Sequence, residues 1–271
     1  MLKNNVYKMR FKYQFIILFS FLYTYCSFAQ VSELDLQLAQ KYYIDAEYEK
    51  AILYYNKIAK EPNYKLKIYN NYYSSFIELK QLKSAEKLCK DIIKDFPNKL
   101  STLVDLGLVY GLDNKLDKKS QILDKAIKQI SDQTLYNDAL DLGLAFEKIG
   151  DTDRALLTYL NFEASSKRNI FSFHAKTALL YNKKGEISKM INTFFEMLDQ
   201  SDNFLNTVQN GLINSIDFQN NLKEKEILKK FIIKKIQSES QKTIYIELLS
   251  WFYMTNNDYE NAFIQIKSLD K

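Results

Sequence analysis

The chain has 271 residues, and 46% of them are hydrophobic, which supplies a sizeable core and excludes a disordered chain. Six glycines and two prolines are too few to punctuate an all-β or loop-rich fold, so helix is the reading that remains. The formal charge of +5 misleads: four of the 38 basic residues and none of the 33 acidic ones fall within residues 1–29, so the rest carries +1 and has no general electrostatic drive toward nucleic acid or an anionic membrane.

The chain opens with Lys3, Lys8, Arg10 and Lys12, continues with an apolar run from Phe15 to Tyr25, and reaches Ser27-Phe28-Ala29 before Gln30. A basic stretch, an apolar stretch and a small-x-small site are the three parts of a secretory signal peptide, here residues 1–29, cleaved after Ala29. An exported protein, periplasmic or secreted, is therefore expected. The fifteen residues between Gln14 and Gln30 fall short of the roughly 20 that a membrane-spanning helix needs, so no stable span is expected after cleavage. The bulky Tyr25 before Cys26 argues against lipid attachment at that cysteine. Past the cleavage site Cys89 is the only cysteine, which rules out an intrachain disulfide. With Leu88, Ile92 and Ile93 around it, Cys89 reads as a small buried hydrophobe rather than a reactive thiol.

From residue 33 onward the chain repeats itself. Ala39, Tyr42, Ala46, Ala51, Tyr55 and Ile58 share their spacing with Gly143, Phe146, Gly150, Ala155, Tyr159 and Phe162. The same spacing recurs in Ala178, Tyr181, Gly185, Met190, Phe194 and Met197, and in Ser250, Tyr253, Asn257, Ala262, Ile266 and Leu269. One anchor position falls on Ala51, Ala85, Lys119, Ala155, Met190 and Ala262, at intervals of 34, 34, 36, 35 and 72 residues. The last interval is two repeats, with a degenerate unit over 203–236 in which Ile227 and Phe231 keep the apolar spacing. Pro62 and Pro97 each stand just beyond a second helix, where proline stops a helix without breaking it. Gly150 and Gly185 are expected to end first helices in the left-handed conformation.

These positions resemble the tetratricopeptide repeat over about residues 33–271. The resemblance implies an all-α fold, an α-α superhelix in the form of a right-handed solenoid of about seven helix pairs. It spans 30–271 as one domain, or as the N-terminal part of a longer solenoid. Lys119 where alanine is expected and the large Met190 depart from the pattern.

No nucleophile, phosphate-loop or metal motif occurs, so no enzyme activity, cofactor or metal is expected. His174, the only histidine, has no ligand partner three or four residues away and reads as a partly buried structural side chain. The Gly107 and Gly111 pair reads as close helix packing. The lysine-rich run LKEKEILKKFIIKKIQ reads first as a solvated helix face and second as a module holding an acidic polymer or membrane.

In tetratricopeptide solenoids the first helices line a concave groove, and the resemblance carries ligand contact onto Tyr43, Asn70, Ser74, Leu108, Leu144, Glu147, Leu179, Asn182, Glu247 and Trp251. Leu36, Gln40, Ile77, Val104, Leu140, Ala175 and Met254 stand at the same offsets. Leu36/Gln40, Asn70/Ser74 and Val104/Leu108 stand where chaperone-binding relatives keep a lysine-and-asparagine clamp, so that mode is not expected. The function expected is a non-enzymatic scaffold of the bacterial envelope that binds a peptide or protein segment in this groove. Phe263, Ile264, Ile266 and Leu269 crowd the last helix, so self-association or partner binding through residues 244–271 is also expected.

Overall fold

The computed structural model describes residues 33–165, 173–239 and 241–269. The expected signal peptide and the Ala29 cleavage site lie outside the described residues. Among the described residues all regular structure is helical, arranged as the seven pairs that the repeat predicts. The pairs are α1 (33–44) with α2 (Tyr48–Ile58), α3 (Lys65–Glu78) with α4 (Leu82–Asp95), and α5 (Ser101–Leu112) with α6 (Leu116–Lys128). They continue as α7 (Tyr136–Lys148) with α8 (Thr152–Ser165), α9 (His174–Lys183) with α10 (Ile187–Gln200), α11 (Leu205–Ser215) with α12 (Leu222–Ser238), and α13 (Ile244–Thr255) with α14 (Tyr259–Leu269). The helices group into two compact units, divided after Leu123, within α6.

One turn is used six times. Residues 45–47, 79–81, 113–115, 149–151, 184–186 and 256–258 link the two helices of a pair, and the middle residue is left-handed in each. Only Gly150 and Gly185 are glycines; Ala46, Lys80, Asn114 and Asn257 adopt positive φ of 55–60°. This bend lets the next amide reach back to the first helix. Glu47, Gln81, Lys115, Asp151, Glu186 and Asp258 donate to the carbonyls of Tyr42, Phe76, Tyr110, Phe146, Tyr181 and Tyr253, at 2.8–3.0 Å. The aromatic residue that recurs in the first helix is thus also the acceptor of its capping bond.

Packing explains the other recurring residues. Sixteen positions separate a small residue on the first helix from a large one on the second: Ala39 and Tyr55, Gly107 and Leu123, Gly143 and Tyr159, Ala178 and Phe194. A Cβ at Gly143 would overlap the Tyr159 ring, so the close approach requires glycine there. The second pair inverts the order, with Tyr73 on α3 and Cys89 on α4, both buried in the same apolar cluster. Lys119, a departure from the motif, lays its stem against Gly111, so the glycine pair on α5 makes room for two large side chains of α6. Met190 is fully buried despite its size.

The sixth pair is irregular for a visible reason. Its link, 216–221, has six residues and no left-handed one among those described; Ile216 is extended, and Asn221 caps α12 by accepting from the Glu224 amide at 3.2 Å. Leu228 and Ile232 are fully buried on α12, while Ile227 and Phe231 are half-buried.

Candidate functional site

The residues expected to face a ligand differ in accessibility. In the first unit Asn70 is exposed, Ser74 and Leu108 are half-buried, and half-buried Tyr43 packs edge-on against Tyr48. Leu36 and Val104 are buried in the core, so these two do not offer contacts; their branched apolar side chains fill space between helices. In the second unit Leu144 and Leu179 are 42% and 47% exposed at the same repeat position, Asn182 is half-buried and Glu247 is exposed. Trp251, again at that position, is half-buried with its ring edge-on to Phe218. Glu147 accepts a 2.6 Å hydrogen bond from Tyr159; burial first, then this carboxylate, holds the phenol above its ordinary range.

Clefts open on a different face. In the first unit a cleft of about 370 Å³ lies between α2 and α4 over α3, lined by Asn56, Tyr72, Phe76, Lys87 and Asp91 among others. In the second unit a cleft of about 400 Å³ lies between α8 and α10 over α9, and Phe231 of α12 reaches it. Counted from the anchor positions, the two are one site in two repeats: Asn56 corresponds to Leu160, Tyr72 to Thr177, Phe76 to Tyr181, Lys87 to Asn192 and Asp91 to Glu196.

The second cleft holds His174. Phe173, fully buried at the start of α9, stacks on Tyr136 and Tyr159 with ring centroids 4.7 and 4.6 Å away. Its amide donates to Glu163 Oε1 at 2.8 Å, which fixes that carboxylate at the end of α8. His174 Nδ1 lies 2.9 Å from the same oxygen, and Nε2 lies 3.5 Å from Glu196 Oε2 on α10. Asn192 donates to the other Glu196 oxygen at 2.7 Å. The histidine is partly buried, as expected, but its carboxylate partners stand 11 residues before it and 22 after, so a search at helical spacing misses them. The signal that could reveal them is the alignment of repeats.

Elsewhere, Cys89 is buried and its thiol is pushed up to about 12, first by burial, against a hydrogen bond with Tyr69 that favours the thiolate. No group of described residues could hold a metal ion, and no described helix is long and apolar enough to cross a membrane. On α12, Lys235 is paired with Asp199 and Glu239 and Lys229 lies over the Tyr253 ring, while Lys223, Lys230 and Lys234 are exposed. Phe263, Ile264 and Ile266 are exposed on α14, and Leu269 is half-buried.

Helix pairs of constant turn and reciprocal packing define an all-α helical-repeat fold. No family model matches the chain, and no curated protein matches it in sequence. Solved structures do share features with it. A thermophilic tetratricopeptide repeat protein of Thermus thermophilus is 17% identical, with a TM-score of 0.37 over 67% of this chain and 99% of its own. The C-terminal part of a repeat-containing protein of Cytophaga hutchinsonii is 18% identical, with a TM-score of 0.35 over 85% and 92%. A tetratricopeptide repeat protein of Parabacteroides merdae is 15% identical, with a TM-score of 0.34 over 73% and 75%.

Proposed function

We propose that the chain is an exported, non-enzymatic scaffold that holds a polypeptide segment against the first helices of its repeats. The observation that carries this reading is the pair of exposed leucines, Leu144 and Leu179, at one position of consecutive hairpins where the packing motif does not need them. An apolar stripe of that spacing suits an extended or helical segment. A photo-crosslinking residue at position 179 should trap a specific protein in intact cells, and one at position 157, exposed on a second helix, should not. Equal labelling at both positions would reject the stripe. Capture that weakens steeply with added salt would point instead to an acidic polymer on the lysines of α12. Export carries its own check: the mass of the mature protein should place its N-terminus at Gln30.

The same reading gives the exposed apolar side of α14 a docking role, for a partner or a second copy. Phe263→Glu with Ile266→Glu should weaken association measured by light scattering or pull-down. A wild-type protein that stays monomeric and partner-free, unchanged by the substitutions, would remove that role.

A further inference from the structure

The outer side of α14 is apolar and open: Tyr259, Phe263, Ile264 and Ile266 are 65%, 65%, 53% and 46% exposed. At the repeat position of Ile266 other hairpins hold Tyr55, Cys89, Leu123, Tyr159 and Phe194, none more than 1% exposed. Rings of the next hairpin lie against two of them, Tyr72 on Tyr55 and Phe173 on Tyr159. Tyr259, Phe263 and Ile266 follow one another at steps of four and three residues, which sets them in one stripe along the helix. Contiguous apolar surface of this kind marks an interaction site, and the charges beside it select the occupant.

Glu260 and Lys267 stand in one row beside the stripe. Seven residues separate them, about 10.5 Å along the axis, too far for them to pair with each other. In an antiparallel helix pair related by a two-fold axis, positions equidistant from the axis on the same row face each other. With the axis beside Phe263, the two Phe263 rings meet at the centre and Tyr259 of each copy packs near Ile266 of the other. Glu260 of each copy then faces Lys267 of the other. One helix thus carries both halves of an interface, its apolar core and its ion pairs, in a single register.

Head-to-tail stacking of copies fails the same test. Within the chain, successive hairpins are joined by Arg154 with Asp124 and by Lys184 with Asp153. Counted from the anchors, a first hairpin docked on the seventh would set Lys50 against Lys267 and Asp45 against Glu260, two like-charged pairs.

We propose that the chain forms a homodimer in which α14 pairs antiparallel with α14 of a second copy, about a two-fold axis at Phe263. The proposal rests on the docking role given to α14 and is independent of the Leu144 and Leu179 stripe. A contact made by one helix of 11 residues from each copy lies at the small end of interface sizes, so the dimer is a weak one, with Kd on the order of micromolar.

Sedimentation equilibrium of the protein at low ionic strength, where surface charges are least screened, gives the test. The wild type should dimerise. Glu260→Lys and Lys267→Glu each set like charges against each other on both sides of the axis, and each alone should weaken the dimer by about tenfold. Mixed in equal amounts, the two single variants should associate nearly as tightly as the wild type, because every pair in the mixed dimer is again opposite in charge. The mixture also controls for the helix itself. Each reversal opposes the helix dipole within its own chain, and mixing leaves that unchanged. Phe263→Glu should abolish dimerisation alone and in any mixture. A wild type that is monomeric at about 100 μM, single variants that dimerise like the wild type, or a mixture no tighter than its components would overturn the proposal. Capture of a different protein through Phe263 and Ile266, with no dimer, would overturn it while the docking role stands; no dimer and no capture would remove both.

Discussion

Each left-handed turn residue carries a conformational cost that depends on its side chain. Lys80 holds a positive φ that glycine adopts without a Cβ clash, so Lys80→Gly is expected to stabilise the protein by about 0.5–1 kcal/mol, read as a raised denaturation midpoint. Gly150→Ala should cost about 1 kcal/mol in the opposite direction. At Gly150 no described atom lies within 4 Å of a built Cβ, so that cost is conformational alone. Equal midpoints for wild type and both variants would refute the link between turn conformation and stability. The inverted pair Tyr73 and Cys89 supports a sharper test. Cys89→Phe should overpack α4 against α3 and cost about 1–3 kcal/mol. Tyr73→Ala removes the ring and also its 3.0 Å hydrogen bond to the Asp105 carbonyl, so it too destabilises. Together they restore the small-then-large order of the other hairpins, and the double-mutant cycle should show favourable coupling of about 1 kcal/mol or more. Strictly additive effects would mean that the two volumes are not reciprocal.

At the scale of helices, the irregular sixth pair is tied down by charge. Asp199 at the end of α10 accepts from Lys235 of α12 and from the Tyr245 hydroxyl of α13, and Lys242 donates to its carbonyl at 3.0 Å. Burial acts to raise its carboxyl, but the bonds from Lys235 and Tyr245 and the charges of Lys235 and Lys242 prevail and hold it below the ordinary 3.8. A depressed folded value means stability that is present above the unfolded value and lost as pH falls through the folded one. Stability measured by urea unfolding should therefore fall below about pH 4, and Asp199→Asn should be less stable at pH 7 with a flatter acid limb. Parallel curves for the two proteins would exclude this carboxylate as the source. The network also shows where reading the sequence runs out. The turns at Gly150 and Gly185 were legible as glycines, while Ala46, Lys80, Asn114 and Asn257 take the same left-handed place at the same separation from the anchor without a residue type that marks it, and the longer link at 216–221 breaks that separation. The exposed leucines at 144 and 179 were legible because they keep one separation from the anchor. The cleft was not, because Glu163, His174 and Glu196 come from three helices, and each looks ordinary until it is set beside its equivalents in other repeats.

For the whole molecule, each of the two compact units holds an apolar cluster of its own among the described residues. One runs from Leu36 to Tyr110, with Tyr55, Tyr69 and Phe76 among its members, and the other runs from Ala178 to Phe252, with Phe194, Leu212 and Leu248. In a repeat protein each hairpin packs mainly on its neighbours, so stability is a sum of local contributions and need not be lost all at once. A cavity made in one cluster should therefore weaken its own surroundings first. Leu212 is fully buried, and Leu212→Ala is expected to cost about 2–5 kcal/mol. Amide hydrogen exchange gives the readout by helix. Protection in α9 to α13 should drop by the full amount of that cost, while α1 to α5 should keep their wild-type rates. A uniform loss across both regions would show that the chain unfolds as one cooperative body, and the two clusters would then be parts of one core rather than separate foldons.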